Sequence, residues 1–204
     1  MSRKNIGIVN YGAGNINSLK NTLQNLGYKV STPSLDHEIR SCDSIFLPGV
    51  GAFPEAMKAL QITGIDQSLK KFYRSGKPMI GICLGFQLFA NKSHEIEPTR
   101  GLSFIDGEVI QLPQTSFHIG WNEVNFKGNS KKTFSNKNVF FFNHSYFLQL
   151  KSNNILGKSS IKSIKNFPAF YKKENLAGVQ FHPEKSQENG ILFLDSLLKE
   201  MLND

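Results

Sequence analysis

Apolar residues recur along this chain at two different periods, and the period changes near its middle. Residues 6–9 (IGIV) predict a short buried strand. Ile16, Leu19, Leu23 and Leu26 then recur at helical spacing, with Gly27 as the expected stop. Ser44–Leu47 and Met79–Ile82 predict two more buried strands. Helices are expected around 55–60 and 65–73, and another over 84–90 immediately after the third strand. Strands alternating with helices in this way predict a parallel sheet with helices on both faces. From Gly107 the pattern becomes strand-like over 109–112, 118–124, 139–148, 155–164 and 169–173, with Asn, Ser and Gly turns between. Ile191, Leu194, Leu198 and Met201 predict a closing amphipathic helix. The expected architecture is one α/β domain over 1–204. It has a mostly parallel central sheet, helices on both faces and antiparallel strands added in the second half.

Composition excludes several classes. The chain has 204 residues, 39% hydrophobic and 20% charged, which suits one sizeable core and not a disordered segment. No apolar run approaches the ~18 residues that cross a bilayer. The N-terminus leads only into Ile6-Gly-Ile-Val9, too brief for a signal-peptide core. A cytoplasmic protein without membrane contact is expected. Two cysteines and no CxxC pair fit a reducing compartment; no metal and no cofactor are expected.

The formal charge of +8 changes the picture less than its size suggests. Ten lysines lie in 124–173, a stretch without Asp, Glu or Arg, and the rest of the chain carries a net −2. These lysines are spread among Asn, Ser and Phe with no recognition motif, so they predict a solvated face and no nucleic-acid partner. An acidic protein or anionic ligand would also suit that face.

The sharpest chemical signal is Gly81-Ile-Cys-Leu-Gly85, between a strand and a helix. A tight strand-to-helix turn with small residues two before and two after would force Cys83 into a strained backbone and project its thiol from the strand end. The start of the helix there would favour the thiolate. A core cysteine between packing glycines is the other reading. A cysteine nucleophile needs a base and an orienting group. Of the five histidines, only His182 has a spaced carboxylate, in Val179-Gln-Phe-His-Pro-Glu184. In an extended segment, His182 and Glu184 would point the same way, with Pro183 stiffening the pair. Taken alone, HxE also describes a structural histidine. Pro48-Gly-Val-Gly51 follows a strand and would sit at the same sheet edge as Cys83. Its glycines, with the amide of Leu84, could face a developing oxyanion, or form an ordinary turn.

Taken together, GICLG, QFHPEKS and PGVGAF resemble the class I glutamine amidotransferases. Tyr11-Gly-Ala-Gly-Asn15, His118-Ile-Gly-Trp-Asn122 and Asn143-His-Ser-Tyr146 narrow the resemblance to the glutaminase subunits of imidazole glycerol phosphate synthases, over nearly the whole chain. The resemblance implies a flavodoxin-like fold and hydrolysis of L-glutamine to glutamate and ammonia. It implies Cys83 as nucleophile, His182 as general base and acid, and Glu184 as its orienting partner. Gly49, Val50 and Gly51 correspond to the oxyanion segment, with Leu84 beside it. Gln87, His144, Ser145 and Tyr146 match positions around the glutamine. The implied partner is a (β/α)8-barrel cyclase subunit, forming a heterodimer that takes up the ammonia. Asn10, Phe86 and Phe117 stand where the family usually has Asp, Met and Pro. These departures leave open a paralogous role, supplying ammonia for sugar amidation in surface polysaccharides. A non-catalytic assembly module is the alternative of another class.

Overall fold

The computed structural model describes residues 4–113, 117–128 and 138–203. In chain order these form β1 (Asn5–Ile8), α1 (Ile16–Asn25), β2 (Lys29–Ser31), α2 (Asp36–Ser41), β3 (Ser44–Leu47), α3 (Phe53–Ile62) and α4 (Ile65–Arg74). Next come β4 (Met79–Ile82), α5 (Leu84–Gln87), β5 (Lys92–Ser93), β6 (Thr99–Arg100), β7 (Glu108–Gln111), β8 (His118–Glu123) and β9 (Asn125–Phe126). The last are β10 (Val139–His144), β11 (Tyr146–Gln149), β12 (Ile155–Ile161), β13 (Ile164–Lys173), β14 (Leu176–Val179) and α6 (Gln187–Leu202).

An eight-stranded sheet runs in the order β2-β1-β3-β4-β14-β13-β12-β9. Its first five strands are all parallel, and β13, β12 and β9 continue it antiparallel. Strands β3, β4 and β14 are buried at every position, because helices cover both faces. Leu19 and Leu23 of α1 share one core with Phe193, Leu194, Leu197 and Leu198 of α6. The opposite core takes Ile39 of α2, Met57 and Leu60 of α3, and Leu69 and Phe72 of α4. Among the described residues no helix is long and apolar enough to cross a membrane.

Several expected elements differ in extent, and each difference has a local cause. The helix expected over 84–90 closes after Gln87. The carbonyls of Leu88, Phe89 and Ala90 are instead taken by the amides of Leu102, Phe104, Ile105 and Ser103. The single strand expected over 139–148 is two. β10 pairs with β8 up to His144↔His118, and after Ser145 the chain pairs with β7 from Tyr146↔Gln111. The run over 155–164 bends back as the β12–β13 hairpin. Short β14 (LAGV) lay below the sequence pattern, as did β2, α2, β5, β6 and β9. Yet β14 lies beside β4 and leads directly to His182.

The Phe140–Phe142 run has Phe140 and Phe142 in the core. Phe141 is half-buried against Trp121, so the strand is not buried on both faces. Cys42 is fully buried. Of the lysine-rich segment, Lys131, Lys132 and Lys137 lie outside the described residues.

Candidate active site

Strands β3, β4 and β14 lie in register, Leu47↔Gly81 and Val179↔Ile82, so their C-terminal ends share one edge of the sheet. Parallel topology therefore gathers segment 48–51, Cys83 and segment 180–184 there. Tyr11, from the turn after β1, joins them by donating its hydroxyl hydrogen bond to the Pro48 carbonyl at 2.9 Å. Burial, and then the proximity of Cys83, push the Tyr11 pKa well above its ordinary value.

Cys83 has φ 53° and ψ −110°, a left-sided conformation that side chains resist. The flanking glycines make the turn possible. A Cβ on Gly81 would stand 2.7 Å from the backbone nitrogen of Phe86, and one on Gly85 would overlap the Leu47 carbonyl oxygen. Opposite Gly81 on β14, a Cβ on Gly178 would overlap the Phe86 ring. Phe86 thus lies in the core beneath the elbow and not in the pocket. Helix α5 is one turn long, so any influence on the thiol comes from its first N–H groups and not from an extended dipole. The Cys83 sulfur lies 3.7 Å from the Asn143 carbonyl oxygen and accepts an N–H from Gln180 Nε2 at 3.6 Å.

His182 reaches this sulfur from the end of β14. Its Nδ1 is 2.9 Å from Glu184 Oε1, and both side chains are almost wholly buried. The alignment does not come from an extended segment. Residues Pro183–Lys185 form a 3₁₀ turn, and Pro183 at its first position lets Glu184 curl back to the ring. The turn is tied down by Ser186 Oγ, which donates to the His182 carbonyl at 2.6 Å and accepts from the Phe141 amide. His182 Nε2 makes no hydrogen bond of good geometry among the described residues. Burial acts to lower the His182 pKa, but a Cys83 thiolate and then Glu184 outweigh it and raise the value to about 10.

The folded pKa therefore lies above the unfolded value of ~6.5. The stabilising contribution of this imidazolium is complete below that unfolded value and is lost as pH rises through about 10. In an NMR titration of the free chain, the His182 ring is expected to remain protonated at pH 8. In Cys83→Ala the midpoint is expected to fall steeply, since burial would then be opposed only by Glu184. An unchanged midpoint in that variant would exclude the thiolate as the cause.

A cavity of about 320 Å³ opens over Cys83. Val50, Gly51, Leu84, Gln87, His144, Ser145 and Tyr146 all line it with Cys83, whereas Gly49 does not. Gly49 packs beneath, where a Cβ would come within 2.6 Å of the Tyr11 hydroxyl. Gly51 has φ +103°, with no atom within 4 Å of an added Cβ. Gln87 uses its amide nitrogen on the Tyr146 carbonyl, at 2.7 Å, and on Gln180 Oε1, at 3.1 Å. It therefore braces the wall.

Sequence reasoning missed four residues of this site. Glu95, Ile119 and Asn143 line the cavity, as does Phe117, noted only as a departure from the family pattern. Glu95 Oε2 accepts the Phe53 amide at 2.8 Å, and burial raises its pKa. It arrives on the β5–β6 turn, whose two-residue strands leave no periodic signal. Trp121 stands outside the lining, on the exposed face of β8. Asn10 is exposed, its side-chain oxygen accepting the Gly12 amide at 3.2 Å. No cluster of metal-ligating side chains occurs among the described residues.

Residues 7–197 match the family model for class-I glutamine amidotransferases. The chain is 38% identical over 193 residues to "Imidazole glycerol phosphate synthase subunit HisH" of Caldanaerobacter subterraneus subsp. tengcongensis, covering 93% of this chain and 95% of that one. It is 35% identical to the same-named subunit of Helicobacter hepaticus, covering 97% and 99%. A glutamine amidotransferase structure from Thermotoga maritima superposes with TM-score 0.68 at 15% identity, covering 100% of this chain and 85% of that one. This last likeness is one of fold.

Proposed function

The chain belongs to the class-I glutamine amidotransferase family, and from that premise we propose that it is the glutaminase subunit of an imidazole glycerol phosphate synthase. In this reading Cys83 is the nucleophile, His182 the proton carrier and Glu184 its orienting carboxylate. The observation that carries it is the buried His182 ring, held on Nδ1 by Glu184 and open on Nε2, beside a cysteine in a strained elbow.

The Cys83 thiolate attacks the side-chain amide carbon of glutamine, forming a C–S bond and placing negative charge on the amide oxygen. Leu84 opens α5, so its N–H has no intrahelical acceptor and is available to that oxygen. Val50 and Gly51 share the cavity wall with it. As the C–N bond breaks, His182 donates its proton and ammonia leaves. Water then adds to the thioester while His182 takes up a proton, and glutamate departs from the restored thiolate. Glu95 offers a carboxylate to the substrate's α-ammonium, and the backbone of residues 144–146 forms the wall for its carboxylate end.

Ammonia released into neutral water becomes ammonium and loses its nucleophilicity, so a covered route to an acceptor site is needed. Val50, Phe117 and Ile119 both line the cavity and stand exposed at its rim. This apolar mouth supports docking of a partner, read here as a (β/α)8-barrel cyclase subunit in a heterodimer. The test is glutamine hydrolysis by this chain alone and with its organism's cyclase subunit plus that subunit's nucleotide ligand. Marked stimulation, lost in Cys83→Ala, is the expected result. No stimulation from a folded mixture would remove the cyclase as acceptor and favour the sugar-amidation role.

A further inference from the structure

The rings of His118 and His144 lie in the interior, their nitrogens 2.9 Å apart, and no step of the reaction above uses either ring. The protons around them can be assigned from backbone carbonyls, which only accept. The Tyr146 carbonyl lies 2.8 Å from His144 Nδ1, so that nitrogen carries the proton and His144 Nε2 must accept. Its neighbour His118 Nδ1 is therefore the donor, and His118 Nε2 accepts from Asn122 Nδ2 at 3.2 Å. The Asn122 amide is itself fixed: Nδ2 donates to the Ser160 carbonyl at 2.7 Å, and Oδ1 accepts the Glu123 amide at 2.9 Å.

The Tyr146 carbonyl also fixes the other half of the array. It accepts from Gln87 Nε2, whose second hydrogen goes to Gln180 Oε1. With its oxygen so occupied, Gln180 must present its NH₂ group to the Cys83 sulfur. Every hydrogen of the array is thereby assigned, and its two halves meet at the Tyr146 carbonyl, which accepts from both. The array requires both imidazoles neutral, and burial holds His118 down to about 4 and His144 to about 3. His182 is the other charged group bearing on His144, and it too lowers that pKa; the rings of Phe142 and Phe167 pack around the pair.

We propose that Gln180, oriented by Gln87, is the hydrogen-bond donor to the Cys83 thiolate, and that His118 and His144 are positioning residues that hold in place the Tyr146 carbonyl on which Gln87 is fixed. The proposal rests on Cys83 being the nucleophile. An N–H donor to sulfur favours the thiolate over the thiol, and such bonds to charged groups are the strong ones. An amide turned the other way would add a second oxygen against the sulfur, beside the Asn143 carbonyl at 3.7 Å, and favour the thiol. Strand β8 thereby acquires two roles on two faces. Ile119 and Trp121 are exposed, while His118 and Asn122 face inward and hold the array.

The experiment is alkylation of Cys83 in the full chain by iodoacetamide across pH, with the modified peptide identified by mass to separate it from Cys42. Gln180→Met is expected to move the pH profile of Cys83 alkylation up by about one unit, which slows the reaction about tenfold on the acid side of that profile. His118→Phe is expected to move the profile in the same direction by less, and His118→Asn, which keeps an N–H at the δ position, to restore much of it. Wild-type rates and profiles in folded Gln180→Met and His118→Phe would overturn the proposal. Nitrogen-15 NMR of the wild-type chain supplies a check independent of variant folding. Both rings are expected as the Nδ1–H form at pH 7, and an Nε2–H form on either would also overturn it. Alkylation needs no glutamine. A chain that shows these shifts but does not hydrolyse glutamine counts against the glutaminase reading alone.

Discussion

Cys83→Ala is expected to lower glutamine hydrolysis by about 10⁴-fold or more, and Cys83→Gly, equally inactive, is expected to melt at a higher temperature than Cys83→Ala. The first effect follows from removing the only side chain that forms a bond to substrate in the proposed reaction. The second isolates the backbone. At φ 53° and ψ −110° any side chain is strained, by about 1–3 kcal/mol, whereas glycine adopts this region freely. Glycine's greater freedom in the unfolded chain offsets about 0.4–1 kcal/mol of that gain. The central remainder, about 1.3 kcal/mol, corresponds to a rise of about 3–5 °C for a domain of this size. Both variants lack the thiolate, so the change in the His182 environment cancels between them. Thermal melts of the two proteins decide the matter, and a lower midpoint for Cys83→Gly would show that the elbow stores no strain.

Gly85→Ala is expected to have the largest effect on folding, a loss of about 3 kcal/mol, together with at least a ~10²-fold loss of activity in whatever protein folds. The added Cβ would overlap the carbonyl oxygen of Leu47, at the end of a strand buried at every position, and would stand 3.3 Å from the Pro48 carbonyl carbon. Neither is a flexible side chain that can swing away. Relief requires α5 to lift from β3, which separates Cys83 from the 49–51 segment. Gly51→Ala offers the contrast. No atom lies within 4 Å of its added Cβ, so the penalty there is conformational, from φ +103°. Denaturant melts should find Gly51→Ala much closer to wild type than Gly85→Ala, with activity reduced in both. Equal stability losses would contradict the contact argument.

Parts of this molecule were legible because the signal was local. The four-residue apolar runs of β3 and β4, the glycine spacing around Cys83 and the helical periodicity of α1 each sit within a single turn or strand. Less was visible where a strand is defined by its partner. Ser145 looks like one more residue in an alternating run, yet the chain changes sheets there. β14 has only Leu-Ala-Gly-Val, and its glycine is required by the ring of Phe86, far away in sequence. The same holds within the site. Glu95 comes from a turn with no pattern, and Gln180 appears in the sequence as an ordinary polar neighbour of His182.

The sequence by itself determined which chemistry the chain can carry: a cysteine in a glycine-framed elbow, a histidine followed by a carboxylate, and a glycine segment after a parallel strand. These are properties of short segments, set by backbone sterics and residue spacing. The tertiary structure decided what surrounds that chemistry. It settled that Glu184 reaches His182 by a 3₁₀ turn and that Gln87 braces the wall. It also settled that the Tyr146 carbonyl joins the β8 histidines to the two amides that reach the sulfur. Burial and the directions of distant carbonyls set these features, and both arise only when strands remote in sequence come to lie side by side.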